Sequence, residues 1–226
     1  MKSKIWKTDF VEAYNVGYSK EEIESFISEA ELLLRQLINH FKSLNGKYST
    51  DKKDKKLLVY LILNELINSL YDSVLALQNG NVRMTSRVFR EVMECRDIIK
   101  LVHSENGEKY VDKWFKDEYI PHSDFRKTLE KDDKGLKDLT RNVYQQYSKY
   151  THRSYSTLID SFTLVDDKLK FNMYLDFNEP SHRKIISKYC IHTAQFILNV
   201  GLDPLEYDLI SKISMGMIMN NMMEEK

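Results

Sequence analysis

The sequence predicts an all-α fold, an antiparallel helical bundle with one small β-hairpin inserted near residues 162–177. Three observations predict it. Apolar residues recur at helical spacing over several long segments. Short stops at Gly46, Asn79-Gly80-Asn81, Gly107 and Gly201 separate those segments. Only between Leu169 and Phe177 does the apolar period fall to two, the period of a strand.

Residues 1–18 show no clear period and read as an N-terminal segment, either a tail or a short packed piece, ahead of one bundle domain over 19–226. Ser19 and Glu22 have the spacing of a capping box. The helix behind them, carrying Ile23, Phe26, Ile27, Ala30, Leu34, Leu37, Ile38 and Phe41, runs to about Ser43. A second helix is predicted over roughly 51–78. Its centre LLVYLIL is apolar on every side, which places it in the middle of the bundle. The tight stop at 79–81 requires a third helix, about 82–104, to fold back antiparallel.

A shorter helix over 108–118 is closed by Pro121, and residues 123–131 add a turn or two. The next helix runs from 133 or 135 to 149 on a seam of Leu136, Leu139, Val143, Tyr147 and Tyr150. Leu169, Phe171, Met173, Leu175 and Phe177 then alternate with polar residues, and Phe162 to Val165 supplies a hairpin partner across Asp166-Asp167. Helical spacing returns after Pro180 and stops at Gly201. A last helix opens at Asp203-Pro204 and ends in a methionine-rich stretch read as core filling, or less simply as a docking surface.

Composition limits the function. Hydrophobic residues make up 42% of the chain, enough for a sizeable core, and 34 basic residues balance 34 acidic ones. A protein that coats nucleic acid nonspecifically carries a basic excess, so any such contact here is local. The cluster Lys52, Lys53, Lys55 and Lys56 reads as a solvated helix start. Two widely separated cysteines, Cys95 and Cys190, fall in apolar helical patterns and suit reduced thiols. Neither a zinc spacing nor a glycine-rich phosphate loop nor a G-x-S-x-G turn occurs, and no cofactor is expected. The longest wholly apolar run is seven residues and the N-terminus lacks a signal-peptide pattern. The expectation is a cytoplasmic protein without a membrane span.

The most informative stretch is RNVYQQYSKYTHRS, residues 141–154. It sets Arg141, Tyr144, Ser148 and His152 at spacings of three, four and four, within one stripe of a helix. An arginine, two hydroxyls and an imidazole on one face have the chemistry to bind a phosphate and move a proton, and equally suit a wet helix face. The stripe is expected to point away from the intramolecular core. Helix three carries a second polar stripe, Arg83, Arg87, Arg90, Glu94 and Asp97. If the two helices meet, Arg90, Glu94, Arg141 and His152 would line a charged groove.

The central helix with RVFREVMEC, followed by a helix ending YSKYTHRS, resembles the HEPN superfamily of prokaryotic helical domains over roughly residues 55–155. That resemblance implies an HEPN-like bundle, a homodimer, and a role in bacterial phage defence, toxin–antitoxin systems or stress. It implies RNA or a nucleotide as ligand and an antitoxin-like protein as partner. Many members are metal-independent endoribonucleases; others are binding or assembly modules. In a nuclease, His152 would be the acid or base and Arg141 the phosphate ligand. Tyr144, Ser148, Asn142 and Arg153 would orient substrate beside Arg90 and Glu94. The superfamily places its histidine four to six residues after the arginine, whereas His152 follows Arg141 by eleven positions, so a non-catalytic dimerisation or interaction module stands beside the nuclease reading.

Overall fold

The structure is a computed structural model that describes residues 2–121, 123–125, 127, 141–142, 144–145, 147–149, 159 and 162–202, with side chains through residue 198. It is a helical bundle with one two-stranded antiparallel hairpin. The main elements are α1 (Lys20–Ser43), α2 (Lys55–Gln78), α3 (Val82–Val102), α4 (Gly107–Phe115), β1 (Phe162–Val165), β2 (Lys168–Phe171) and α5 (Pro180–Leu202). Described residues between 141 and 149 are helical as well.

α1 begins as its sequence requires: the Ser19 Oγ accepts from the Glu22 N–H at 3.2 Å. Such a cap contributes about 1 kcal/mol. The reciprocal half of the box is absent. The Glu22 carboxylate turns to the N-terminal segment, accepting from Ser3 Oγ at 2.8 Å and from the Lys4 N–H. Glu29, seven residues on, accepts from Trp6 Nε1–H at 2.7 Å and from the Lys2 N–H at 2.7 Å. Residues 2–16 are thereby clamped onto the bundle, with Ile5, Trp6 and Ala13 buried.

α2 lies against α1, α3, α4 and α5, in the central position its apolar run implies. It starts at Lys55 rather than near 51, because Asp54 caps it by accepting from the Leu57 N–H at 3.0 Å. Nor is LLVYLIL buried all round: Leu61 is exposed and Tyr60 half-buried. By length and composition α2 is apolar enough to cross a membrane, yet 61% of its most apolar window is buried inside the bundle, as in a core helix.

The α2–α3 turn closes through Gly80, whose φ of +67° favours glycine. Gly80 and Asn81 donate back to the carbonyls of Leu77 and Ala76, both at 2.8 Å, in a Schellman arrangement. A second constraint bears on Gly80. The Leu175 N–H bonds its carbonyl at 2.9 Å, and a Cβ at Gly80 would lie 2.2 Å from the Leu175 oxygen.

That contact explains why the predicted strand stops early. β2 ends at Phe171, not Phe177, because the chain leaves the hairpin to seat Leu175 in the core beside the α2–α3 turn. The hairpin turn is Asp166-Asp167, with φ of +49° and +59°, a two-residue loop whose twist suits adjoining strands. α4 is also shorter than predicted, ending at Phe115. Residues 128–140 and the helix predicted from 203 lie outside the described residues.

Candidate functional site

The helix carrying residues 141–149 is held against the bundle by Tyr147, which is buried where the predicted seam places it. Three residues earlier on that helix, Tyr144 turns toward α3. Its hydroxyl donates to Glu94 Oε1 at 3.1 Å, and its ring lies under the Arg90 guanidinium, 5.7 Å from centroid to carbon. Arg90 Nε donates to the same Glu94 oxygen at 2.8 Å. The Ser148 hydroxyl is within hydrogen-bonding reach of the Tyr144 oxygen. The two polar stripes therefore meet at Arg90, Glu94, Tyr144 and Ser148.

All four are half-buried, so the site is a partly exposed polar junction between two helices. Burial pushes the Tyr144 hydroxyl above its ordinary range, and the neighbouring Glu94 carboxylate pushes it further. Tyr144 is consequently a neutral donor around pH 7. The hydrogen bond to Glu94 raises the Arg90 guanidinium above its usual value. An arginine guanidinium at the protein surface, stacked on a phenol, has the charge and planar geometry that suit an oxyanion.

Arg141 and Asn142 are exposed, about one turn before Tyr144 and about two before Ser148. His152 and Arg153 lie outside the described residues. On α3, Arg83 and Arg87 are exposed as predicted, but Asp97 is buried, so the stripe does not face solvent along its whole length. Nor does the other stripe point wholly away from the core, since Tyr144 packs against it. The junction is acidic toward α2. There Glu91 is held protonated to higher pH than usual, first by burial and then by a hydrogen bond and like charge from Glu65, with Glu94 and Asp72 adding to it. A phosphate would enter from the arginine side.

No protein-family model, curated protein or solved structure matches this chain.

A second polar contact escaped the sequence reading. The Tyr147 hydroxyl and His192 Nδ1 hydrogen-bond inside the core. Around His192 stand Phe10 at 5.2 Å, Tyr147 at 5.7 Å and Phe89 at 6.1 Å, ring centroid to ring centroid. Burial, with the Lys188 charge adding a little, pushes its imidazole down to about 3, so it is neutral at any physiological pH. The signal was present in the spacing: Tyr189, His192 and Phe196 fall at three and four along an otherwise apolar face of α5. Both cysteines are buried and unoxidised, with burial pushing the Cys95 thiol up to about 12 and that of Cys190 higher still. Neither suits a nucleophile. Among the described residues no cluster of three or more His, Cys, Asp or Glu is placed to hold a metal ion.

Proposed function

We propose that this chain is an HEPN-like helical protein that acts on RNA in bacterial defence or stress, cleaving it without a metal. The single observation behind this reading is the junction of Arg90, Glu94, Tyr144 and Ser148, which joins the two polar stripes. In the proposed reaction Arg141 and Arg90 bind the phosphate and stabilise its developing charge. His152, four residues beyond Ser148 in sequence, takes the proton from a ribose 2′-OH or returns one to the leaving oxygen. An imidazole with a reference pKa near 6.5 suits either role. Tyr144, Ser148, Asn142 and Arg153 orient the substrate.

The test is incubation of the purified full chain with cellular RNA in EDTA, beside His152→Ala and Arg141→Ala. Cleavage by the wild-type chain, lost in both folded variants, is the expected result. Absence of cleavage by the wild-type chain contradicts it. A second reading, a non-catalytic interaction module, is favoured by the acidic flank of Glu65, Glu91 and Glu94, which repels phosphate and suits a basic protein partner. It expects no cleavage, and loss of partner binding on substituting Glu94.

A further inference from the structure

The β-hairpin has two unlike faces. The register pairs Phe162 with Phe171 and Leu164 with Leu169, and alternation puts these four side chains on one face. Thr163, Val165, Lys168 and Lys170 occupy the other. The apolar face is not packed on the bundle: Leu164 is 68% exposed, Leu169 56% and Phe171 52%. A pair of four-residue strands is marginal alone in water and needs a packed face. Among the described residues, none covers this one.

We propose that the occupant is the end of the same chain: residues 205–223 turn back along α5 and seat their methionines on the apolar face of the hairpin. Length favours it. Pro180 and Leu202 stand at the two ends of α5, roughly 33 Å apart at a rise of about 1.5 Å per residue. The hairpin belongs to the Pro180 end. Leu175, four residues after Phe171, is fixed to Gly80, and the next N–H, that of Asp176, donates to His182 Nδ1 in the first turn of α5 at 2.9 Å. Asp203-Pro204 is a helix start in the sequence. A helix returning from there would carry Met215 back by about 18 Å and Met223 by about 30 Å, to the level of the hairpin.

Chemistry favours it too. The run from Ile213 to Met223, ISMGMIMNNMM, holds no charge, like the face it would cover. The unbranched thioether of methionine fits irregular surfaces and packs well on rings such as Phe162 and Phe171, whose centroids lie 5.4 Å apart. Glu224 and Glu225 follow the run directly, while Lys168 and Lys170 flank the apolar face. Lysine stems are long enough to bring their ammonium groups round the strand edge to those carboxylates.

This inference concerns how the chain folds on itself and stands whether or not the site acts on RNA. Thiol labelling of the full chain tests it. Leu164→Cys places a thiol within the face, and Met84→Cys places one at an exposed residue of α3. The native Cys95 and Cys190 are buried with their thiols pushed up, so both react slowly. The thiol introduced by Leu164→Cys is expected to react with a maleimide at least about tenfold more slowly than that introduced by Met84→Cys. Adding Met215→Asn, Met217→Asn, Met219→Asn, Met222→Asn and Met223→Asn should abolish that difference while circular dichroism remains helical. A bis-maleimide should also join Leu164→Cys to Met219→Cys within one chain, a link that leaves the other four methionines in place. Equal reactivity of the two introduced thiols in the otherwise native chain overturns the proposal. So does protection that survives loss of the methionines. Protection or linking that weakens on dilution overturns it as well, and gives the face to a second copy.

Discussion

Tyr144 and Tyr147 sit three residues apart on one helix, and each hydrogen-bonds to a different neighbour. Tyr144 reaches the Glu94 carboxyl on α3 at a half-buried position near the surface. Tyr147 reaches a neutral imidazole on α5 inside a box of aromatic rings. The first contact leaves water access and a nearby arginine. The second is closed on every side by Phe10, Phe89 and Phe196. One polar pair can therefore respond to a ligand, whereas the other fixes where the helix lies. Polar contacts of similar geometry thus differ in role because of what surrounds them.

The comparison breaks most severely at Tyr147. Truncation by Tyr147→Ala should cost about 3–5 kcal/mol in urea unfolding, since it empties a buried aromatic site and strips the imidazole of its partner. The subtler Tyr147→Phe should cost about 1–3 kcal/mol, because it leaves only the buried ring nitrogen without that bond. A cost near zero for both would show that the pair does not hold the helix.

A pH profile sharpens the same contrast. Unfolded, His192 binds a proton near pH 6.5; folded, it does so only at about 3. Between those values the unfolded chain holds the extra proton, so stability falls as pH drops, by on the order of a few kcal/mol in full. Thermal unfolding of the double variant Tyr147→Phe, His192→Leu should lose that part of the slope while retaining the contribution of carboxylates. An unchanged slope would mean that His192 is not buried neutral.

Much of the architecture was legible because it rests on local rules. Ser19 caps α1, the glycine turn reverses α2 into α3, and the apolar faces lie where their spacing puts them. The N-terminal segment was opaque. Its burial depends on Glu22 and Glu29, residues that read as ordinary exposed helix acids and serve as acceptors for Ser3, Lys4 and Trp6. The alternating run through Phe177 misled in the opposite direction. Periodicity shows which side chains share a face, not whether a Gly80–Leu175 backbone contact will pull the chain out of the sheet. At the candidate site, the stripes could be read from spacing, but their junction at Tyr144 and Glu94 needed two helices fifty residues apart to meet.

The smallest expected stability effect is at Tyr144 itself. Its bond to Glu94 is half-exposed, and Tyr144→Phe should cost no more than about 1 kcal/mol in unfolding. The consequence for ligand should be far larger.

Binding of a fluorescent single-stranded RNA in EDTA, read by anisotropy alongside the unfolding free energy, tests the distinction most directly on wild type, Tyr144→Phe and Arg90→Ala. If the junction is the site, the wild-type chain binds and both variants lose at least about tenfold in affinity while remaining folded. Binding that is unaltered in both variants, or absent from the wild-type chain, contradicts the assignment of this junction to RNA.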